Sequence, residues 1–508
     1  MNNKIFNIRK IAVILGIAAL FTGCKKFSEF GDTNVNPNGT GSPVFSALLT
    51  NVEAQIGGFA ANTQGGLYAQ YFSETQYTDV SLYALPQLNF AATYSGPLED
   101  LQNIITNGSS KNMAAVSRIL KAYILWTITD KWGPIPYSTA LQGYPSPAIT
   151  YDKQVDIYKG LIKECKDAVA QLDPGSGIAG DIIYGGNASN WKKLGNSLRM
   201  LMALRLTKRF PNPTDYAATE FVAAMNDVGG YIITNSDNMV INYPGGNFKN
   251  PWFNVYDGRK DYAESKTFTD ILSAMGDGRS AAYGGKADAG LTSSTLGFPY
   301  GLQRNDALIF EPANSTNWAR ILKASYRTET SPLVVISAAE VQLAKAEAAE
   351  RGWLPGLTTV DAQAFYNDGI DKSFAQWGIG ASGAAVYGTG NAGNYLTGTG
   401  AGSTVIGQNS FNSIPATANA TTDTKLKRIW LQQYIAAYPD GLQGWSNWRR
   451  TGFPNIAPTT FATNTSKQIP RRYTYGATEY AINAAGVASG LPDLSAGDTQ
   501  DSRIWWDQ

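Results

Sequence analysis

The stretch Lys111-Asn-Met-Ala-Ala-Val-Ser-Arg-Ile-Leu-Lys-Ala-Tyr-Ile-Leu-Trp-Thr-Ile-Thr129 sets Met113, Val116, Leu120, Tyr123, Ile124 and Thr127 on one helical stripe. Val155–Leu172 repeats the spacing, with Ile157, Leu161, Cys165, Ala168 and Leu172 inward. Trp191–Phe210 turns Leu194, Leu198, Leu201, Met202 and Leu206 inward, sets Arg199, Arg205, Lys208 and Arg209 mostly on the other side, and stops at Pro211. Ser337–Gly352 is rich in Ala and Glu and ends on a glycine suited to a C-cap. Val360–Trp377, Leu426–Tyr438 and the shorter Ala477–Ala485 complete the helical set. Runs of strict alternation are rare, so the expected class is mainly α with little sheet. Helix pairs of about 34 residues, with Ala and bulky aromatics on their contact faces, point to tetratricopeptide-like packing.

Composition narrows the function. The 508 residues carry 41 Lys+Arg against 40 Asp+Glu, a formal charge of +1, which argues against a phosphate-neutralising basic face. Charged residues make up only 16%, whereas 12 Trp, 27 Tyr and 20 Phe make the chain rich in aromatics. Such a surface suits neutral, hydroxyl-rich ligands. Histidine is absent, which excludes a Ser-His-Asp triad, a Cys-His dyad and His-ligated zinc. Without histidine no side chain has an ordinary pKa between about 6 and 8, so ligand binding is expected to be flat across that range.

The N-terminus reads as an address. Lys4, Arg9 and Lys10 precede the 11-residue apolar run Ile11–Phe21, then Thr22-Gly23-Cys24. Eleven residues make a helix of roughly 16 Å, about half of a ~30 Å hydrocarbon core, so residues 1–23 are expected to be a signal peptide and not a membrane span. The small residues before Cys24 resemble the lipobox of bacterial lipoproteins, with Phe21 in place of the usual Leu; this implies a lipidated Cys24 at the head of a tether over residues 24–41. No further 18-residue apolar stretch occurs, so the lipid is expected to be the only anchor. A single domain is expected over 42–508, with Cys165 as a small buried hydrophobe.

Most chemical motifs fail on inspection. Asp32-x-Asn34-x-Asn36 starts like a calcium loop, but Pro37 and Pro43 stand where Gly and Glu are needed. Gly388-Thr-Gly390-Asn-Ala-Gly393 matches a dinucleotide fingerprint literally, yet lies in a Gly-rich run over about 378–424 with no strand before it or helix behind it. No metal or cofactor site is expected. Glu340, Glu347 and Glu350 read as a solvated helix face or helix-end pairs. Residues 236–330 read as an irregular, loop-displaying region rich in aromatics. The candidate ligand platforms are Tyr77 and Tyr83 in Tyr71–Tyr83, Trp252, Phe253 and Tyr256 in NPWFNVY, and Trp318.

Five ordered segments together resemble the SusD/RagB family of outer-membrane lipoproteins, in its second SusD-like subfamily. They are Phe30–Asn38 (FGDTNVNPN), Thr129–Tyr137 (TDKWGPIPY), Ala338–Trp353 (AAEVQLAKAEAAERGW), Ile429–Tyr434 with Trp448–Pro454 (IWLQQY, WRRTGFP), and Ile469–Tyr473 with Trp505–Asp507 (IPRRY, WWD). Asp277-Gly-Arg279 departs from the family's usual Asp-Pro-Arg, and the Gly-rich run after Trp377 is an insert. The resemblance covers residues 24–508. It implies a mostly helical fold of four tetratricopeptide-like units beside a variable half. It also implies a surface lid of a TonB-dependent, SusC-like transporter, lipid-anchored in the outer membrane and facing the exterior. Such a lid captures oligosaccharides, sometimes peptides, and catalyses nothing. Arg449, Arg450, Arg471 and Arg472 are expected to be fork donors to helix-end carbonyls or carboxylates. Two rival readings are a lipoprotein glycoside hydrolase with a paired-carboxylate cleft and a peptide-binding helical-repeat adaptor.

Overall fold

Ser110 opens the helix that organises the molecule: its hydroxyl accepts the Met113 N–H at 3.2 Å, capping an otherwise free amide. The computed structural model describes residues 43–85, 88–143, 149–286, 292–314, 317–379 and 424–508. The signal segment, Cys24, the tether with Asp32–Asn36, and residues 388–393 of the Gly-rich run lie outside them.

The main helices are α1 (Phe45–Ala60), α2 (Thr63–Tyr68), α3 (Glu99–Asn107), α4 (Lys111–Trp132), α5 (Gln154–Gln171), α6 (Ala188–Arg205) and α7 (Tyr216–Met225). They continue with α8 (Lys266–Met275), α9 (Arg304–Ala313), α10 (Ala338–Glu350), α11 (Thr359–Gln376), α12 (Thr424–Ala436), α13 (Gly441–Thr451) and α14 (Ala477–Gly490). Neighbours in sequence pack together along α3–α4–α5–α6–α7, and α10 packs on α6, α11 and α12. The strands are β1 (Phe72–Glu74), β2 (Ile135–Pro136), β3 (Tyr151–Asp152), β4 (Met239–Ile241), β5 (Tyr262–Glu264), β6 (Gly284–Lys286), β7 (Ala319–Ile321) and β8 (Leu333–Ile336). Among the described residues they form only two-stranded antiparallel ladders, β1–β5, β2–β3, β4–β8 and β6–β7. The mainly α class with little sheet is what the periodicity required.

The stripe on α4 is wider than its sequence suggests. All of α4 except Lys111, Arg118 and Lys121 is buried, so it is an internal helix rather than a half-exposed one. Small residues let its neighbours close in. A Cβ on Gly195 of α6 would meet Val169 of α5 at 2.6 Å, and one on Gly369 of α11 would meet Leu343 of α10 at 2.7 Å. Cys165 is fully buried, as its position on the inner face of α5 demands.

Three charges expected at the surface are buried instead. Arg205 is under the surface, stacked between Trp126 and Trp506 and 3.5 Å from Asp130. Arg199 is also buried and reaches Glu220 at 3.3 Å. Glu347 on α10, read as a solvated or helix-end residue, is fully buried and takes a fork from Arg450 of α13 at 2.6 and 2.7 Å. Burial pushes that carboxyl up, but Arg450 and Arg351 outweigh it and hold it well below the ordinary range. Glu340 closes a capping box with Ser337. The other family arginines act as expected: Arg449 donates to the carbonyls of Asp130 and Arg471, and Arg472 to the carbonyl of Trp132. Asp277 and Arg279, in the departing triplet, form a buried pair at 2.6 Å that reaches Ser373 of α11 and Gln432 of α12.

Glu347→Ala leaves the Arg450 guanidinium buried without its carboxylate, and is expected to cost about 3–5 kcal/mol of stability. Replacing both partners, Glu347→Leu with Arg450→Met, is expected to recover most of that loss. Urea unfolding midpoints of the wild type and both variants check the pair of outcomes.

Candidate ligand-binding surface

Tyr77 is the one sequence-derived platform with an open ring. It is 51% exposed, on the loop that leaves β1, and Arg304 at the start of α9 sits 5.2 Å over its ring. Tyr83, six residues on, is fully buried. Its hydroxyl accepts the Thr459 N–H at 3.3 Å, and its ring meets the edge of Tyr68 at 6.3 Å. Its φ of 63° turns the chain sharply back to the exposed Leu85.

The region from 236 to 330 is folded more tightly than its loop-like composition suggests. Trp318 is fully buried against Phe298, Ala263 and Ala307, the core that β5, β7 and α9 close over. Trp252 is 2% exposed, meets the edge of Phe72 at 5.5 Å, and lines a separate cavity. Tyr256 is half-buried, donates to the Tyr262 carbonyl at 3.0 Å, and has Arg327 stacked 4.3 Å over its ring. Phe253 is half-buried beneath Lys249. The four do not form a surface platform. Short antiparallel ladders give this region a core of its own, and its large aromatics fill that core.

The Tyr77 loop borders a cleft of about 300 Å³. Tyr83, Ala84 and Leu85 form one wall; Thr463, Asn464 and Thr465 form another; Asp498, Thr499, Gln500 and Asp501 complete it. The walls are tied together: Thr463 donates through its N–H and hydroxyl to the Leu82 carbonyl at 2.7 and 2.9 Å, and Gln500 donates to the Tyr83 carbonyl at 3.3 Å. Two side-chain amide oxygens on the walls, Asn464 Oδ1 and Gln500 Oε1, have no hydrogen-bond partner, and Gln500 is only 7% exposed. Buried acceptors left open cost free energy until a donor meets them. Two more exposed aromatics stand nearby. Phe461, two residues before Thr463, is 41% exposed, and Tyr480, 43% exposed, donates its hydroxyl to Asp498 at 2.7 Å. Thr459 donates to the Gly301 carbonyl at 2.8 Å, which joins this loop to the turn before α9 and Arg304.

The cleft wall is polar, with Thr463 and Thr465 exposed on it, while Asn464 Oδ1 and Gln500 Oε1 are enclosed behind its surface. Its two aspartates are engaged by neighbours. Asp498 takes Arg472, the Tyr475 N–H and Tyr480, while Asp501 takes Asn464 at 3.0 Å and Ser466 at 2.5 Å. Phe461, Asn464, Tyr480, Gln500 and Asp501 were not singled out in the sequence. A signal was present in the Thr/Asn-rich run Thr459–Ser466 between the two arginine motifs, with Phe461 inside it.

The loop also carries a titrating group that the lack of histidine did not foretell. Glu74 ends β1 and accepts from Ser81 N–H at 2.8 Å and Ser81 Oγ at 2.7 Å, closing the Tyr77 loop at its base. Burial lifts its carboxyl from 4.5 to about 7 against the pull of those hydrogen bonds.

A family profile described as starch-binding associating with outer membrane, SusD-like_2, matches residues 37–476. The chain belongs to this SusD-like family. Solved SusD homologues share the fold along almost their whole lengths. A chitin-binding SusD homologue from Flavobacterium johnsoniae is 25% identical, with 91% of this chain and 98% of that one covered at a TM-score of 0.74. A SusD homologue from Bacteroides uniformis, 24% identical, aligns over 91% and 99% at 0.74, and one from Bacteroides fragilis, 23% identical, over 92% and 100% at 0.73. The search of curated proteins returned no match. The SusD-like assignment agrees with the five sequence segments, and Arg449, Arg450 and Arg472 of those segments are buried and do not line the cleft.

Because Glu74 is raised in the fold, the stability attached to it is full below about pH 4.5 and drains away as pH rises through about 7. Glu74→Gln removes the titration. The drop in melting temperature from about pH 5 to about pH 8 is expected to be smaller in the variant than in the wild type, measured by differential scanning calorimetry.

Proposed function

We propose that this SusD-like protein captures oligosaccharides at the cell surface and passes them, as its lid, to a TonB-dependent SusC-like transporter in the outer membrane, to which Cys24 anchors it by lipid. The observation that carries the reading is the cleft at the Tyr77 loop. It is walled in part by the exposed, hydroxyl-bearing Thr463 and Thr465, with the exposed rings of Phe461, two residues before Thr463, and Tyr480, bonded to Asp498, beside it, and it is bordered by the loop that carries the exposed Tyr77. Sugars present the complementary surface, hydroxyl donors around C–H faces. The family description and the chitin-binding relative support a glycan over a peptide. The engagement of both Asp498 oxygens, by Arg472, the Tyr475 N–H and Tyr480, supports binding over hydrolysis by a carboxylate pair in this cleft.

The affinity this surface can supply is modest. An aromatic face covering about 100 Å² of sugar C–H surface contributes at most roughly 2.5 kcal/mol before ordering costs. A few such contacts give micromolar-to-millimolar capture, which suits a lid that must also release.

Calorimetric titration of chito-, malto- and other oligosaccharides against wild type, Tyr77→Ala and Phe461→Ala tests the reading. One glycan series is expected to bind and to be recovered uncleaved, with each variant losing up to about 70-fold in affinity. Native purification in mild detergent, from cells grown on that glycan, is expected to bring down a large barrel protein. Cleaved glycan would move the protein to the hydrolase class, and binding of peptides alone would replace the cargo.

A further inference from the structure

A second cavity, of about 340 Å³, lies where β8, the start of α10, and the turn between α12 and α13 meet. It shares no lining residue with the cleft at the Tyr77 loop. Four aromatic side chains line it, Trp252, Tyr326, Trp377 and Tyr438, together with two carboxyls, Glu340 and Asp440. Its described lining contains no lysine or arginine. Ser325 and Pro332, both exposed, mark its solvent side, while Trp252, Trp377 and Tyr438 are buried.

The polar groups are held with capacity to spare. Glu340 uses one oxygen, Oε2, to accept from Ser337 N–H and Oγ at 2.9 Å each, which leaves Oε1 without a partner among the described residues. Asp440 caps α13 through Oδ1, which accepts from Gln443 at 3.0 Å. Trp377 is 9% exposed, and its ring meets that of Tyr283 edge to face at 5.3 Å. Tyr326 donates its hydroxyl to the Trp377 carbonyl at 2.5 Å, which fixes the two rings relative to each other at 5.4 Å, nearly edge to face. The cations that act on the carboxyls stand outside the lining. Lys131 faces Asp440 and Arg205 faces Glu340, and Arg205 is already shared with Asp130. Burial, with the Glu340 charge added, still lifts the Asp440 carboxyl to about 8. The cavity therefore lacks positive charge where it has carboxyls, and has π faces around the lack.

We propose that this cavity is a second binding site, for a small organic cation: an ammonium group carried on an alkyl or sugar-ring body. Aromatic faces attract such cations electrostatically, most strongly when the cation is desolvated. Burial raises both carboxyls, and an ammonium group beside Glu340, which has a free oxygen, favours its ionised form and so gains the counter-charge. The volume falls within the range of small-ligand pockets, and the apolar wall from β8 takes the body of the ligand. An anionic ligand is disfavoured by both carboxyls, and a neutral one gains hydrogen bonds from them without the charge pairing.

The test is calorimetric titration of the full chain with choline chloride and with its uncharged isostere 3,3-dimethylbutan-1-ol, repeated with glucosamine and with glucose. The cation of each pair is expected to bind at least about tenfold more tightly than its neutral partner. Glu340→Gln keeps the hydrogen bonds at Ser337 and is expected to weaken cation binding about tenfold; Trp377→Leu is expected to weaken it by a similar factor. Tyr77→Ala, in the other cleft, is expected to leave it unchanged. Tighter binding of glucosamine than choline assigns an amino sugar as the source of the cation, and the reverse assigns a free alkylammonium compound. Equal binding of charged and neutral partners, absence of cation binding up to about 10 mM, or unchanged binding in a folded Glu340→Gln variant would overturn the proposal. None of these results bears on glycan capture at the Tyr77 loop, so the two readings fail separately.

Discussion

The carboxyl of Asp130, fully enclosed near the end of α4, ties together four parts of the chain that are far apart in sequence. It accepts from the Tyr158 hydroxyl of α5 and, at 2.8 Å, from the indole of Trp506, two residues before Gln508. Arg205 of α6 stands 3.5 Å away, and the Asp130 carbonyl accepts from Arg449 of α13 at 2.8 Å. Burial alone drives this carboxyl up, and Arg205 and Arg449 pull it back. A group this costly to bury is tolerable only when every partner is in place, so the helices cannot slide past one another without stranding it. Asp507 extends the same lock, fully buried and paired with Lys208 at 2.6 Å, Arg503 at 3.1 Å and Arg471 at 3.4 Å.

That lock also fixes the base of the cleft. The rigid helical layer fixes Arg472, which holds Asp498 on the cleft wall, and Tyr473, whose N–H donates to the Lys131 carbonyl beside Asp130. The cleft is thus pinned at its base by core groups, while Tyr77 and Phe461 on its loops and Tyr480 on α14 stay exposed. A ligand meeting pre-placed rings and acceptors forfeits little ordering entropy. The Glu74–Ser81 contact does the same for the Tyr77 loop, with a carboxyl that titrates near neutrality.

The helical class was legible because α4, α5 and α10 repeat apolar residues at helical spacing, a signal that depends only on local chain geometry. The depth of burial was not legible. Arg199, Arg205 and Glu347 look like surface residues until the partner helices supply Glu220, Asp130 and Arg450, and those partners lie 21 to 103 positions away. The candidate site was legible in part. Tyr77 stands open, but Trp252 and Trp318 sit in irregular sequence and still fill a core, because three-residue ladders leave too few aliphatic side chains to fill it. The cleft walls escaped notice because Tyr83–Leu85, Thr463–Thr465 and Asp498–Asp501 meet only through long-range contacts such as Gln500 to the Tyr83 carbonyl, which a sequence does not display.

Hydrogen exchange followed by mass spectrometry, with and without the tightest-binding oligosaccharide, tests the central claim most directly. The account predicts slowed exchange in residues 75–85, 459–468 and 498–501, with α4, α5 and α10 already protected and unchanged by ligand. Protection that appears in the helical layer instead, with those three loops unaffected, would contradict it.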